Sequence, residues 1–381
     1  MLADEIKAAA ARCESAAARC PQPVRTLPRA PRIPSEWFEL LHGFPESGAA
    51  LAQLRRLTHD AAIGDAAIGE VERYALLQAL REALRRLPGL AAEDSIKWLF
   101  CATCAQVANA EPDPCFALDS QTFYQIAHVA TLRWLPAGEL CLEVTALPRA
   151  WLLRIAPFDL PKVVAELWRG FGGLGPTVTT HLWSWRANPF LILKSEHERA
   201  LWRVAETIRL RSDIRGVMID GWMHSREAGQ AFPHLAWVRG FFAEQDATLA
   251  DMGPAPPSSG FLTGSAKRRR LYQDGKFRPR RALVLWRRDA LLAWADRRPD
   301  LAADSRFDRL PPPPPKLPQA AVATEPWRDR WPRLHVVGTI LVPAVLVTIL
   351  VASLAAWWTI PPAFLLATLT LWLLRTTVLS R

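Results

Sequence analysis

The sequence predicts an α/β or α+β cytoplasmic domain with a mixed sheet, helices before it and a two-helix transmembrane hairpin after it. Three observations support this prediction. Strand-like and helical patterns alternate over residues 118–298, and helical periodicity dominates residues 49–117. The C-terminal part contains 23 successive residues without a charge, which is long enough to cross a bilayer.

Shifts in composition divide the chain into five segments. Residues 1–48 form a helix-prone N-terminus with a proline-rich linker, and residues 49–117 a helical region. Residues 118–298 are the α/β domain, residues 299–334 a second proline-rich linker, and residues 335–381 the predicted transmembrane hairpin. The second linker contains five consecutive prolines, which favour a stiff spacer, although such a run is also a ligand for proline-recognising domains.

The N-terminal helices are predicted from spacing. Residues 2–20 are rich in alanine and favour a helix, but have too few large apolar residues to bury strongly. Residues 95–108 read as a further apolar helix, with Cys101 and Cys104 inside it. Apolar residues at spacings of three and four predict an amphipathic helix before it: Tyr74, Leu77, Leu80, Leu84 and Leu87.

The first half of the α/β domain shows a change of period. Residues 118–130 are helical, and Glu139–Val144 alternates as a strand does. Trp151–Ile155 reads as a second strand, and Asp159 as the cap of a helix that runs to Trp168. Residues 178–185 form a further strand candidate. Ser195 with Glu198 three residues later is a capping box, which predicts a helix to Arg211.

The second half of the domain reads as strand, loop, helix, strand and helix. Arg215–Met223 is a short apolar strand bounded by glycines, and Arg226–Ala231 follows it as a loop before the helix at 233–242. Ser265–Phe277 is a basic helix stopped by glycine. The last elements are a strand at 281–286 and a helix at 289–295.

The net charge of +10 raises the question of nucleic acid, but the basic residues are spread through the chain and form one dense cluster only, at 267–281. This distribution favours weak attraction to an anionic surface such as the inner leaflet of a membrane, and disfavours nucleic-acid binding. Cys101 and Cys104 are spaced as a redox pair or half a zinc site. Because no second C-x-x-C exists, two small buried residues are the favoured interpretation, and no metal is expected.

The C-terminal hydrophobic segments predict membrane insertion. Val336–Trp358 carries no charge and ends in two tryptophans, which belong at the membrane interface. A buried hydrophobic hairpin in a soluble protein is the alternative. The second segment, Ala363–Leu374, spans only if Arg375 extends to the headgroups or the helix continues through Leu379.

Arginines set the predicted orientation. Arg328, Arg330 and Arg333 precede the first segment, Arg375 and Arg381 follow the start of the second, and the turn has no charge. The positive-inside rule then places both termini and the bulk of the chain in the cytoplasm, with the hairpin in a bacterial-type inner membrane.

Between the strand at 215–223 and the following helix, the pattern R-x-x-G-x-A of Arg226, Gly229 and Ala231 resembles the acyl-CoA pyrophosphate loop of the GNAT superfamily of N-acyltransferases. The resemblance covers about 180–290. It implies a GNAT-like mixed sheet, and it implies that these three residues hold an acyl-CoA, because loop amides and a helix N-terminus bind the phosphates there. Residues 147–153 and 265–294 also resemble segments of a bacterial membrane-protein group without a known activity.

The resemblance also supplies a candidate acid. Arg270–Phe277 resembles the next helix of that superfamily, where a tyrosine often protonates the leaving thiolate, which implies that Tyr272 is the general acid. The pattern gives no general base. Asp220, His224 and Glu196 are candidates by their chemistry alone.

The sequence therefore predicts a membrane-anchored acyl-CoA-dependent N-acyltransferase-like protein, whose partners are the lipid bilayer and a small-molecule amine or protein acceptor. The alternative is a non-enzymatic membrane-tethered interaction or scaffold protein, which would use the helical region or the proline run to bind a partner. Binding of an acyl donor distinguishes the two.

Overall fold

The structure is a computed structural model that describes residues 2–20, 22–25, 68–110, 121–183, 193–255 and 266–302. Its centre is a six-stranded mixed sheet, which confirms the predicted α/β class. The sheet order is β1-β2-β3-β4-β6-β5. The strands are β1 (Trp134–Pro136), β2 (Leu140–Ala146), β3 (Pro176–Leu182), β4 (Gly216–Gly221), β5 (Thr248–Pro254) and β6 (Arg280–Arg287).

The two central strands, β3 and β4, form the one parallel pair of this sheet, and all other neighbours are antiparallel. Their pairing covers Val178 with Val217 and Thr179 with Met218, and ends there. Both strands continue, because β3 pairs with β2 as far as Leu182 and β4 pairs with β6 as far as Gly221. The sheet therefore opens between residues 180–182 and residues 219–221, and we call this opening the β3–β4 gap.

Helices cover both faces of the sheet. The α-helices are α1 (Leu2–Arg19), α2 (Gln22–Arg25), α3 (Ile68–Arg86), α4 (Asp94–Asn109), α5 (Gln121–Ala130), α6 (Arg149–Leu152), α7 (Leu160–Arg169), α8 (Lys194–Arg209), α9 (Arg226–Ala231), α10 (Ala236–Glu244), α11 (Ala266–Gln273) and α12 (Arg288–Asp296). Helix α8 connects β3 to β4, as a crossover between parallel strands requires.

The main core covers the face of the sheet that carries Val178, Val217 and Trp286, and at β1 and β2 it also includes residues of both faces, such as Trp134 and Leu135. It joins α1, α3 and α4 with Val178, Val217 and Trp286 of the sheet, and with α8, α10 and α12. The predicted helical region and the predicted α/β domain therefore share one core. A smaller core on the other face packs Val163, Leu167 and Phe171 against Met218 and other strand residues.

Helix α1 is more buried than its composition predicts. Ala9, Cys13 and Ala16 are fully buried, and the helix packs against α3 and α4. Small side chains allow helix backbones to approach closely, so a helix with few large apolar residues still contributes to a core. The expectation of weak burial was wrong.

Three local predictions also differ from the structure. Residues 151–155 do not form a strand; α6 and a turn occupy this place, and Ile155 packs in the smaller core. Helix α8 begins at Lys194, and Glu198 pairs with Arg298 at 2.8 Å, so the capping box is absent. Asp159 does precede α7, but its carboxylate accepts from the Asp251 amide at 2.8 Å.

The proline run at 311–315 and both hydrophobic segments of the predicted hairpin lie outside the described residues. Among the helices of the described ranges, none combines the length and the apolar character needed to cross a membrane.

Candidate functional site

The β3–β4 gap is the candidate site, because the carboxyl ends of two parallel strands that separate form a crevice in which α/β proteins commonly bind ligands. On one face of the sheet, His181 of β3 and Asp220 of β4 stand at equivalent levels on either side of the gap. On the other face, the loop after β4 and the first turn of α8 bring His224 and His197 to the same end.

His181 is held by a carboxylate and an indole. Its Nε2 lies 2.8 Å from Glu143 Oε2, and the indole nitrogen of Trp134 donates to the same oxygen at 3.1 Å. The Trp134 ring stacks on His181 at 4.1 Å between centroids and on His128 at 4.7 Å. The imidazole therefore has a fixed plane and a fixed hydrogen-bonded nitrogen.

This pair remains accessible. The side chain of His181 is 29% exposed and that of Glu143 is 20% exposed. Glu143 also lines an open cavity of about 550 Å³, together with Leu142 and Thr145 of the same strand. Burial alone would raise the pKa of Glu143, but the hydrogen bond and charge of His181 and the hydrogen bond from Trp134 lower that pKa below its ordinary value. Glu143 is therefore an anion at neutral pH.

Across the gap, the Asp220 carboxylate forms an ion pair with an arginine. Arg281 of β6 donates from Nε to Asp220 Oδ1 at 2.8 Å, and a second guanidinium nitrogen contacts Oδ2. A carboxylate that accepts two bonds from one guanidinium is a weak proton acceptor. Asp220 therefore suits an electrostatic role better than that of the general base.

A second carboxylate–histidine pair lies on the opposite face of the sheet. Glu139 Oε1 is 2.7 Å from His197 Nδ1, and the two side chains are only 8% and 3% exposed. The His197 ring meets the edges or faces of Trp237 and Phe242. This pair is a polar element inside the main core.

His224 is enclosed in the same aromatic surroundings. It is 3% exposed, and its ring lies 5.3 Å from that of Phe242. Burial, with smaller contributions from His197 and Arg239, lowers the pKa of His224 to about 3. The imidazole is neutral at physiological pH and too weakly basic to remove a proton from an amine efficiently.

Basic residues gather beside the end of β4. Trp222 follows β4 directly; the Arg268 guanidinium of α11 lies 5.4 Å over its ring, and Phe277 meets it at 6.4 Å. Helix α11 therefore lies near the gap, and its residues Lys267, Arg269 and Arg270 are exposed. Tyr272 lies on α11, with the Arg278 guanidinium 4.8 Å from its ring centroid.

The motif that resembles a pyrophosphate loop has a different local structure. Arg226–Ala231 forms α9, a helix of six residues, capped by the Ser225 hydroxyl, which accepts from the Ala228 amide at 3.1 Å. A Cβ at Gly229 would lie 3.2 Å from Ala236 Cα at the start of α10. The glycine thus serves the packing of two helices, and the predicted loop was wrong. Arg226 is exposed at the helix start, and Ala231 is partly buried at its end.

Glu196, the remaining candidate base, lies in the first turn of α8 and forms an ion pair of 4.0 Å with Arg199. The structure thus brings Asp220 and His224 to the end of β4, and it places Arg268 of α11, the helix that carries Tyr272, over Trp222. It adds Glu143 and His181, which sequence reasoning passed over. Their alternation on β2 and β3 was visible, but the strand order that pairs them was not.

The cysteines of the helical region are core residues. Cys101, Cys104 and Cys13 are buried, and the Cys13 thiol lies 3.8 Å from the Cys104 carbonyl oxygen. Burial raises the pKa of the Cys101 thiol to about 12, which makes it unreactive as a nucleophile. Within the described part of the chain, His, Cys, Asp and Glu side chains form no group of three or more suited to a metal ion.

Comparison of the chain with known protein families, with curated proteins and with solved structures gives no match.

Proposed function

We propose that this protein is a membrane-anchored cytoplasmic N-acyltransferase that uses an acyl-CoA donor, with the donor in the β3–β4 gap. One observation carries the proposal: the pairing of β3 and β4 ends at Thr179 and Met218 while both strands continue. A mixed sheet with one parallel pair that opens in this way is compatible with the GNAT-like architecture that the sequence motif implies. The groups around the gap supply the chemistry of the proposed reaction.

The gap suits the arm of coenzyme A. Backbone N–H and C=O groups that two separated strands direct at each other need partners. An extended arm with two amide groups supplies them, as a peptide does when it adds to a sheet edge. The phosphates would then meet the exposed bases Lys267, Arg269, Arg270 and Arg226. This assignment moves the phosphate site from Gly229 and Ala231 to α11.

His181 is the proposed general base. Glu143 accepts the Nε2–H hydrogen bond, which leaves the lone pair of Nδ1 for a proton. The acceptor amine attacks the thioester carbonyl, a C–N bond forms, and the C–S bond breaks. The amine proton passes to His181, and the departing thiolate takes a proton from Tyr272, the role that the resemblance implies. The acceptor is a small-molecule amine or an amine on a protein.

The membrane part of the proposal rests on residues 335–381. Both hydrophobic segments insert in the inner membrane, and both termini face the cytoplasm because arginines flank the pair. A reporter fused after Arg381 is then active only in the cytoplasm. A reporter active in the periplasm would show that the second segment does not cross back.

Donor binding tests the enzymatic proposal. Calorimetry of the full chain in nanodiscs, with acetyl-CoA and longer acyl-CoAs, should show binding below millimolar concentration. Reversing Arg269 and Arg270 to glutamate removes charge-assisted contacts of about 2 kcal/mol, or roughly 30-fold in affinity. The control is Arg85→Glu on the exposed side of α3, which should leave affinity unchanged. If none of these donors binds at millimolar concentration, the acyltransferase proposal is wrong.

The second candidate, a non-enzymatic membrane-tethered interaction protein, has one observation in its favour. Phe158 is 98% exposed and Trp168 is 79% exposed, and exposed apolar patches often mark interaction surfaces. Absence of donor binding would favour this candidate.

A further inference from the structure

An exposed apolar surface surrounds α7, and we call it the α7 patch. Its members come from residues 153–174: Phe158 at 98% exposure, Trp168 at 79%, Leu153 at 51%, Val164 at 49% and Leu174 at 40%. Single exposed apolar residues are ordinary, but five within one short stretch need an explanation.

Helix α7 carries apolar side chains on two sides, one of which is buried and the other exposed. Val163 and Leu167 are buried in the smaller core against the sheet, and this side is what the fold requires. Val164 and Trp168 are four residues apart, so they share a second side of the helix, and on this side they are 49% and 79% exposed. Phe158, just before the helix, adds a third exposed side chain. Stability of the domain does not explain this second side.

The charges around the α7 patch are positive. Arg154, Lys162 and Arg169 are exposed. The two acids of the same stretch have internal partners: Asp159 accepts from the Asp251 amide at 2.8 Å, and Glu166 lies 3.6 Å from Arg287. Asp246 and Asp289 lie near Arg287 as well, on the Glu166 side of the helix, which is turned away from Trp168.

We propose that the α7 patch docks on the surface of an anionic bilayer. Exposed aromatic and aliphatic side chains beside lysine and arginine are the composition of helices that lie in the headgroup layer. Each basic residue near an anionic leaflet adds electrostatic attraction to it. Because the patch carries excess positive charge, it would repel a second copy of itself. The proline run at 311–315 carries no charge that would complement the patch.

This inference rests on the membrane location in the proposed function, and not on acyl transfer. It implies an orientation of the domain, in which the face that carries α7 lies against the leaflet. This contact adds to the membrane anchoring proposed for residues 335–381. Reaction at the gap would then occur within a short distance of the lipid headgroups.

An environment-sensitive probe at Val164 tests the docking. The full chain carries Cys115→Ser, which removes the one native cysteine outside the described residues; the other five are buried and should remain unlabelled. The label is attached at Val164→Cys, which keeps both aromatic rings of the patch. In anionic nanodiscs the emission maximum of a fluorophore at this position should shift to shorter wavelength. Because a docked face lies roughly 5–10 Å within the headgroup boundary, a nitroxide lipid of shallow depth should quench most of its emission. The matched control is Glu82→Cys on α3, an exposed position, where the probe should remain aqueous.

Two further arms separate the alternatives. Lys162→Glu with Arg169→Glu should abolish the shift in anionic discs and leave the melting temperature unchanged, since both side chains are exposed. An aqueous probe at Val164 in chains that are retained by the discs overturns the docking alone. Chains that no disc retains overturn the membrane location as well. Quenching between labelled copies, without quenching by lipid, would assign the patch to a second copy and also overturn the proposal.

Discussion

Two carboxylate–histidine pairs have nearly the same contact distance but different surroundings. Glu139 with His197 and Glu143 with His181 have contacts of 2.7 Å and 2.8 Å. The first pair is enclosed by Trp237 and Phe242, whereas the second is a fifth to a third exposed and borders both a cavity and the gap. The same chemical pair is therefore a core element on one face and a proton-transfer candidate on the other.

The difference shows that contact geometry alone does not identify a catalytic histidine. A buried pair satisfies polar groups that would otherwise cost free energy, and access decides whether a proton can be exchanged with a substrate. Substitutions at the accessible pair should therefore affect function, and substitutions at the buried pair should affect stability.

The largest expected effect is the loss of transfer in His181→Ala. Removal of a general base typically lowers turnover by about 10²–10⁴-fold. Donor affinity and the melting temperature should change little, because His181 is partly exposed. Turnover is followed by release of free coenzyme A thiol. The matched control is His234→Ala, an exposed histidine near Phe232. Full activity in His181→Ala would remove His181 from the mechanism.

Glu139→Ala should show the opposite pattern. It leaves His197 buried without its hydrogen-bond acceptor, which costs about 2–3 kcal/mol of unfolding free energy. Denaturant unfolding of the full chain in detergent measures this loss, and Glu143→Ala should lose clearly less, since water reaches its site. Equal losses for the two variants would mean that the pairs do not differ in the way described.

The buried His224 makes the stability of the folded protein depend on pH. Its pKa is lowered to about 3 in the folded state, mainly by burial, and lies near 6.5 in the unfolded chain. Below pH 6.5 the unfolded state binds the extra proton, so stability falls as pH falls from 6.5 towards 3. The expected loss between pH 7 and pH 5 is about 2 kcal/mol.

The variant His224→Leu should lose about that much less stability over the same pH range, because it has no imidazole to protonate. Unfolding midpoints at pH 7 and pH 5 for both proteins measure the difference. Identical acid sensitivity would show that His224 is not the neutral buried group described.

The smallest effect is expected at Gly229. Gly229→Ala places a Cβ 3.2 Å from Ala236 Cα, and the strain and the better helix propensity of alanine nearly offset, which gives a net change below about 1 kcal/mol. Donor affinity should not change. A large loss of acyl-CoA affinity in this variant would return the phosphate site to the motif from which the resemblance started.

Much of the element order is visible in the sequence, because it depends on local patterns. The strands at 140–146, 216–221 and 280–287 and the helix stopped at Gly275 follow from alternation and turn chemistry. The prediction of a strand at Trp151–Ile155 was wrong. The apolar residues of this stretch lie in a short helix and a turn, and Trp151, Leu152 and Ile155 among them pack in the smaller core. A run of five residues does not carry enough periodicity to decide between the two.

The candidate site was less predictable, because it depends on which strands are neighbours. Glu143 and His181 are 38 residues apart, and only the pairing of β2 with β3 brings them together. The motif at Arg226–Ala231 has the residues of a phosphate loop, but Ser225 caps it as a helix and Ala236 occupies the space beside Gly229. Such competition between local motif and tertiary packing is not visible in one sequence.

Hydrogen–deuterium exchange of the full chain, with and without acetyl-CoA, tests the central claim most directly. If the donor arm lies in the β3–β4 gap, amides of residues 180–183 and 219–224 become protected on binding, and those of 226–231 change little. Protection confined to 226–231, or binding without any protection at the ends of β3 and β4, would contradict the assignment of the gap as the donor site.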